Sequence, residues 1–387
     1  MYASFLKIYP PLADSRALHL NLVPSNLVTP YEVINRPGTR TMELQERVSE
    51  LMMVGFFGQE LDAALADHIC TIKPSGLIFF RRNVVSPEQV ARLTRDIQRL
   101  ALKELGRPLL LAIDQEGGTV ARLTPPFSQI PDAKVLGAEG PEAVSRCARL
   151  SAQEMSLVGL NLNFAPVLDV NLLETAGPME RRSFGRDPAL VAECGVAAVT
   201  AIQEEGVMAT AKHFPGLGRA QEDPHLSLPI VPATREELLQ SDLVPFRAAF
   251  RAGVACAMTS HILYPALDAE LPGTLSEPIL TGLLRNELGF EGVLISDDLD
   301  MGAVTGRYSP EWTAFTALQA GVDLLLVCND GEHMTLVAEA LREGLRLRLL
   351  QAERLAPSLA RVDLLRERFL GPGRLANPEV AAAHFFS

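Results

Sequence analysis

Three things that this 387-residue sequence lacks narrow its class before any motif is read. It has no paired cysteines: Cys70, Cys147, Cys194, Cys256 and Cys328 are odd in number, scattered, and never spaced as CxxC. Structural disulfides and a thiolate zinc site are therefore not expected, and the pattern suits a reducing compartment. It has no apolar run approaching the roughly 20 residues of a membrane-spanning helix. It has no surplus of positive charge, since 35 Lys and Arg against 47 Asp and Glu leave a net charge of −12. That argues against a broad nucleic-acid surface, which needs basic stripes. The N-terminal segment also lacks the charged start, apolar block and small-residue cleavage site of a signal peptide, so the expected location is the cytoplasm.

What is present suits a soluble globular protein, with 48% hydrophobic residues to supply a large core. Residues 1–41 read differently. Pro10, Pro11, Pro24, Pro30 and Pro37 punctuate a stretch with no sustained periodicity, so a loosely ordered extension is expected there. The globular part is expected over residues 42–387.

From residue 50 onward, short apolar runs alternate with amphipathic stretches. The runs are Leu51–Phe57, Gly76–Phe80, Leu109–Ile113, Leu160–Val167, Val207–Ala211, Val254–Met258, Val293–Ile295 and Val322–Val327. Nearly continuous apolar runs of this length mark strands buried on both faces of a parallel sheet. Helix starts fall between them: Ser86-Pro87-Glu88-Gln89, the capping box Thr234 to Glu237, and Asp187-Pro188. Val90, Leu93, Ile97 and Leu100 then share one helix face. Eight strands, each followed by a helix, predict an α/β fold, a single (β/α)8 TIM barrel with C-terminal helices; a doubly wound sheet is the alternative.

The runs end in polar residues. Asp114, Asp169, Lys212-His213, His261, Asp297-Asp298 and Asn329 follow the third to eighth runs respectively. Any one of them could simply cap a helix or hold a loop. Six such positions at the C-terminal strand ends, where barrels build their active sites, favour an enzyme. Lys212 to Gly218 puts a cation and an imidazole before a glycine-bracketed loop, and Asp223-Pro224-His225 follows. In an extended loop Asp223 and His225 share a face, so the carboxylate can orient the imidazole and stabilise its charged form.

These segments resemble bacterial glycoside hydrolase family 3 β-N-acetylglucosaminidases, the NagZ-like group. The likeness rests on Lys212–Gly218 with Asp223 and His225, on Asp114–Gly118, Phe164–Val170 and Arg182–Gly185. It extends through Met258–Leu263, Gly292–Met301 and Ala320–Leu325. It implies Asp297 as nucleophile, forming a covalent glycosyl-enzyme hydrolysed with retention, and His225 as acid/base with Asp223 as its partner. Successive strand residues point oppositely, so only one of Asp297 and Asp298 should face the sugar. A histidine with an ordinary pKa near about 6.5 can both donate and accept a proton around neutral pH. The resemblance also implies Asp114, Arg122, Arg182, Lys212 and His213 as sugar-binding residues.

No metal and no organic cofactor is implied. The expected partner is a small carbohydrate, either a GlcNAc-containing muropeptide or an oligosaccharide, acted on by a monomer in peptidoglycan recycling. Two positions depart from the family pattern: Leu217 where histidine is usual, and Pro224 where serine or threonine is usual. Alternatives are a phosphorylase, a weakly active or non-catalytic sugar-binding barrel, and a metal hydrolase using His213, His261, Asp114 and Asp297. No HxH or HExxH spacing supports the last. His19, His68, His333 and His384 are read as surface or packing residues, Trp312 as core, and Cys328 as a small buried filler.

Overall fold

All eight apolar runs become strands in the computed structural model, which describes residues 44–173, 177–222, 228–328, 331–371 and 375–386. They are β1 (Met52–Val54), β2 (Gly76–Phe79), β3 (Leu110–Ile113), β4 (Leu162–Asn163), β5 (Met208–Phe214), β6 (Cys256–Thr259), β7 (Val293–Asp298) and β8 (Leu324–Val327). Each pairs in parallel with the next, and β1 pairs with β8 to close the barrel. The expected single (β/α)8 barrel is what forms. The open-sheet alternative fails because Met52↔Leu325 and Val54↔Val327 leave no free edge between first and last strands. The extension expected over residues 1–41, and Asp223, Pro224, His225 and Asn329, lie outside the described residues.

Every barrel-strand residue is buried except Asp297 and Asp298 at the end of β7, and β5 is buried at all seven positions. Their inward side chains form one central cluster that includes Met53, Ile78, Leu110, Phe164, Met208, Met258, Ile295 and Leu326. Local chemistry sets the helix starts. Ser86 Oγ accepts from Gln89 N at 3.2 Å ahead of the Pro87–Glu104 helix. Thr234 and Glu237 complete a reciprocal capping box, 2.8 and 3.2 Å, and Asp187 caps Pro188–Glu204. Satisfying these end N–H groups fixes where each helix leaves the barrel rim. Among the described residues no helix is long and apolar enough to cross a membrane.

Candidate active site

The C-terminal mouth is built on ion pairs that only a closed barrel brings together. Lys212, at the end of β5, is buried, and its Nζ lies 2.9 Å from Asp114 Oδ1 and 2.7 Å from Glu116 Oε1. Glu116 accepts two bonds of 2.8 Å from Arg182 in a bidentate pair. Arg122 stands 3.7 Å from the other oxygen of Asp114. Three cations thus surround two carboxylates. Burial opposes the charge of Glu116, but Lys212 and Arg182 outweigh it and push its pKa down to about 2. Arg122 Nε is buried without a protein hydrogen-bond partner among the described residues.

Asp169 organises the next sector. Its Oδ2 accepts from His213 Nδ1 at 2.7 Å, while Oδ1 accepts the backbone N–H groups of His213 and Leu217 at 3.2 and 2.6 Å. His213 Nε2 lies 3.4 Å from Arg182 Nη2, which links this sector to the first. Leu217 is therefore held through its backbone, and its buried side chain packs inward. At Gly218 an added Cβ would come within 1.8 Å of the Val170 carbonyl oxygen, so only glycine lets this loop lie against the β4 loop.

Asp297 and Asp298 diverge as strand alternation requires. Asp297 N–H donates to Thr259 Oγ1 at 3.1 Å, and Asp297 Oδ1 accepts Asp298 N–H at 2.9 Å. Burial works against its charge. His261, His213, the Asp298 amide and Lys212 more than offset that and hold its pKa below the ordinary aspartate range. Asp298 turns to the other side, where burial, Asp300 and Asp297 raise it to about 7. His261 Nε2 faces the Asp298 carbonyl oxygen at 3.0 Å, so that nitrogen carries a hydrogen, and Nδ1 meets Thr274 Oγ1 at 2.8 Å.

The five residues expected to hold sugar, Asp114, Arg122, Arg182, Lys212 and His213, come together with Asp297 in one mouth. Sequence reasoning passed over Glu116, and it marked Asp169 and His261 as polar strand ends without giving them a role in the sugar site. Asp114 and Glu116 are two apart beside a strand end, and that spacing could have marked Glu116; nothing local announces the clamp made by Asp169. His333 is a correction. Rather than lying away from the strand mouths, it pairs with Asp300 just beyond β7, and Asp300 also accepts the Cys328 N–H at 3.0 Å. Its sequence position concealed this, because the ring reaches across from the helix after β8. Trp312 is half-buried and stacks on Tyr308 at 4.6 Å rather than lying in the core. Cys328 is buried, as expected. The residues of the metal-hydrolase alternative have protein partners: Asp114 has Lys212, His213 has Asp169, and His261 has Thr274.

A closed parallel barrel with charged donors and acceptors converging at its C-terminal mouth is the architecture of a barrel enzyme with a polar site. The chain belongs to glycoside hydrolase family 3: residues 43–365 match the Glycosyl hydrolase family 3 N terminal domain. A beta-hexosaminidase of Methylococcus capsulatus is 38% identical over 297 residues, 75% of this chain and 86% of that one. Another, from Chromobacterium violaceum, is 35% identical over 345 residues, 86% of this chain and 90% of the relative. Among solved structures, a family 3 beta-N-acetylglucosaminidase from Paenibacillus sp. str. FPU-7 superposes with a TM-score of 0.83 at 37% identity, over 88% of this chain and 68% of that one. NagZ from Neisseria gonorrhoeae, in complex with N-trifluoroacetyl-D-glucosamine, gives 0.72 at 31% identity, over 87% and 93% of the two chains.

Proposed function

We propose that this chain is a retaining exo-β-N-acetylglucosaminidase. The observation that carries the reading is Asp297, a carboxylate held ionised at the end of β7 and electrostatically coupled to His213 and Lys212 of the cation-rich cluster. The names of its relatives supply the sugar.

In this reading Asp114 accepts from sugar hydroxyls, while Arg122, Arg182, Lys212 and His213 donate to hydroxyls and to the N-acetyl group. Asp297 attacks the anomeric carbon as the bond to the leaving oxygen breaks, and His225, oriented by Asp223, gives that oxygen its proton. Water then adds to the same carbon, returns a proton to His225, and releases Asp297 with configuration retained. Lys212 and Arg182 are anchored by Glu116, so they enter the ground state already positioned, and little side-chain ordering is left for the reaction to require. We take the natural substrates to be peptidoglycan-derived muropeptides or related β-N-acetylhexosaminides, handled by a cytoplasmic monomer.

The test is turnover of aryl N-acetyl-β-glucosaminides bearing good and poor leaving groups. Asp297→Ala is expected to abolish release of both. His225→Ala is expected to slow the poor leaving group far more than the good one, because only the poor one needs the proton. Equal losses on both substrates would reject His225 as the acid.

A further inference from the structure

The β1–β2 arc of the mouth carries a rigid aromatic that the sugar-holding cluster does not use. Phe57 is 63% exposed, the most exposed large apolar side chain among the described residues. Single exposed apolar residues are ordinary. Phe57 differs in how firmly its backbone and one ring face are fixed.

Asn83 is buried after β2, and its amide donates to the carbonyls on both sides of Phe57: Phe56 O at 3.2 Å and Gly58 O at 2.8 Å. Arg82 Nε also donates to Phe56 O at 3.0 Å, and Arg82 Nη2 to Cys328 O at 2.9 Å, beyond β8. The guanidinium lies 4.6 Å from the Phe57 ring centroid and 4.5 Å from that of Phe80. Phe80 itself packs on the barrel core. Arg82 thus lies against both rings by cation–π contact, Phe80 packed on the core and Phe57 largely open to solvent. A hydrophobic ring so constrained loses little entropy on binding a ligand.

Its location supplies the ligand. The cluster on β3, β4 and β5 takes the hydroxyls of one sugar, and Asp297 on β7 marks its anomeric carbon. Three residues beyond Asp297, Asp300 accepts the Cys328 N–H at 3.0 Å, and the Cys328 carbonyl in turn accepts from Arg82 at 2.9 Å. Phe57 thus sits at the rim after β1, two strands round from Asp297 on β7, on the arc that the hydroxyl-holding residues of β3 to β5 leave free. The C–H face of a pyranose carries weakly positive hydrogens, which suit the negative face of an aromatic ring.

Resting on the glycosidase reading above, we propose that Phe57 is a specificity residue whose free face stacks against the sugar ring on the leaving-group side of the scissile bond. The test compares kcat/KM for N,N′-diacetylchitobiose with that for N-acetyl-β-glucosaminyl fluoride, which has the same donor sugar and no second ring. In Phe57→Ala the disaccharide-to-fluoride ratio is expected to fall roughly tenfold, with the loss in disaccharide KM, and Phe57→Trp is expected to restore it. An unchanged ratio, or equal loss on both substrates, overturns the proposal. A wild-type protein inert on both substrates overturns the glycosidase reading and this proposal with it.

Discussion

Glu116 stays ionised although it is buried, because Lys212 and Arg182 supply more than burial removes. A carboxylate whose folded pKa is depressed stabilises the fold above its ordinary value near about 4.5, and that stability is lost as pH falls toward about 2. Glu116→Gln is therefore expected to lose on the order of 3 kcal/mol at neutral pH. Measured by urea unfolding, the gap between wild type and variant should narrow steadily between about pH 5 and pH 2. Asp297 gives a kinetic counterpart. Its depressed pKa puts the acidic limb of kcat/KM below the ordinary aspartate value of about 3.9. Replacing His261 with Asn removes the first of the groups that offset burial, so that limb should move to higher pH in a kcat/KM profile; an unmoved limb would remove His261 from the electrostatics of Asp297. The candidate side chains were legible as residue types at strand ends, because strand ends are where a barrel exposes its interior. Their pairing was not: Glu116 with Arg182, or Asp169 with the Leu217 amide, joins residues 66 and 48 positions apart, and no local pattern encodes that.

At the scale of the element, strands were readable because both faces of a barrel strand are dry, so the apolar run itself is the signal. Their ends were less so. The run Leu51–Phe57 yields a strand of only three residues, Met52–Val54, followed by Gly55, whose N–H donates to Val327 O at 2.9 Å. The reason is the closing seam. A Cβ on Gly55 would come within 1.9 Å of the Cys328 carbonyl oxygen, so the β1 and β8 backbones meet there more closely than any side chain allows. Gly55→Ala must therefore push β1 off β8. The expected cost is roughly 3 kcal/mol, seen as a fall in Tm of about 4 °C in a barrel of this length. Because β8 leads directly to Cys328, whose N–H is held by Asp300 and whose carbonyl takes Arg82, kcat/KM should fall as well. A variant with wild-type Tm would mean that the seam relaxes freely.

The whole molecule divides its labour between two ends. The mouth carries charge aimed at a ligand, whereas the opposite end carries charge that fastens the fold. Just before β1, buried Glu50 pairs with Arg47 at 2.9 Å and with Arg107 and Arg366 at 3.2 Å each. Arg366 also reaches Ser75 Oγ at 2.8 Å, and Asp363 takes Arg47 at 2.8 Å. Arg366 and Asp363 belong to the Ala352–Leu370 helix, whose Val362 and Leu365 enter the central barrel cluster. That helix plugs the bottom of the barrel, and the ion network ties it to the strand starts of β1, β2 and β3. Burial opposes the charge on Glu50, and its arginines hold its pKa below the ordinary value. Its stabilising share is therefore present above that value and lost as pH falls through the folded one. Glu50→Gln leaves three guanidinium groups facing a neutral amide, a loss on the order of 3–5 kcal/mol for breaking a buried network. Since the bottom of a barrel serves stability and the top serves chemistry, that variant should unfold at clearly lower urea while keeping wild-type kcat/KM at temperatures where it remains folded. The pairing of urea midpoint with turnover checks this, and a matched fall in kcat/KM of the folded variant would show that the two ends are coupled.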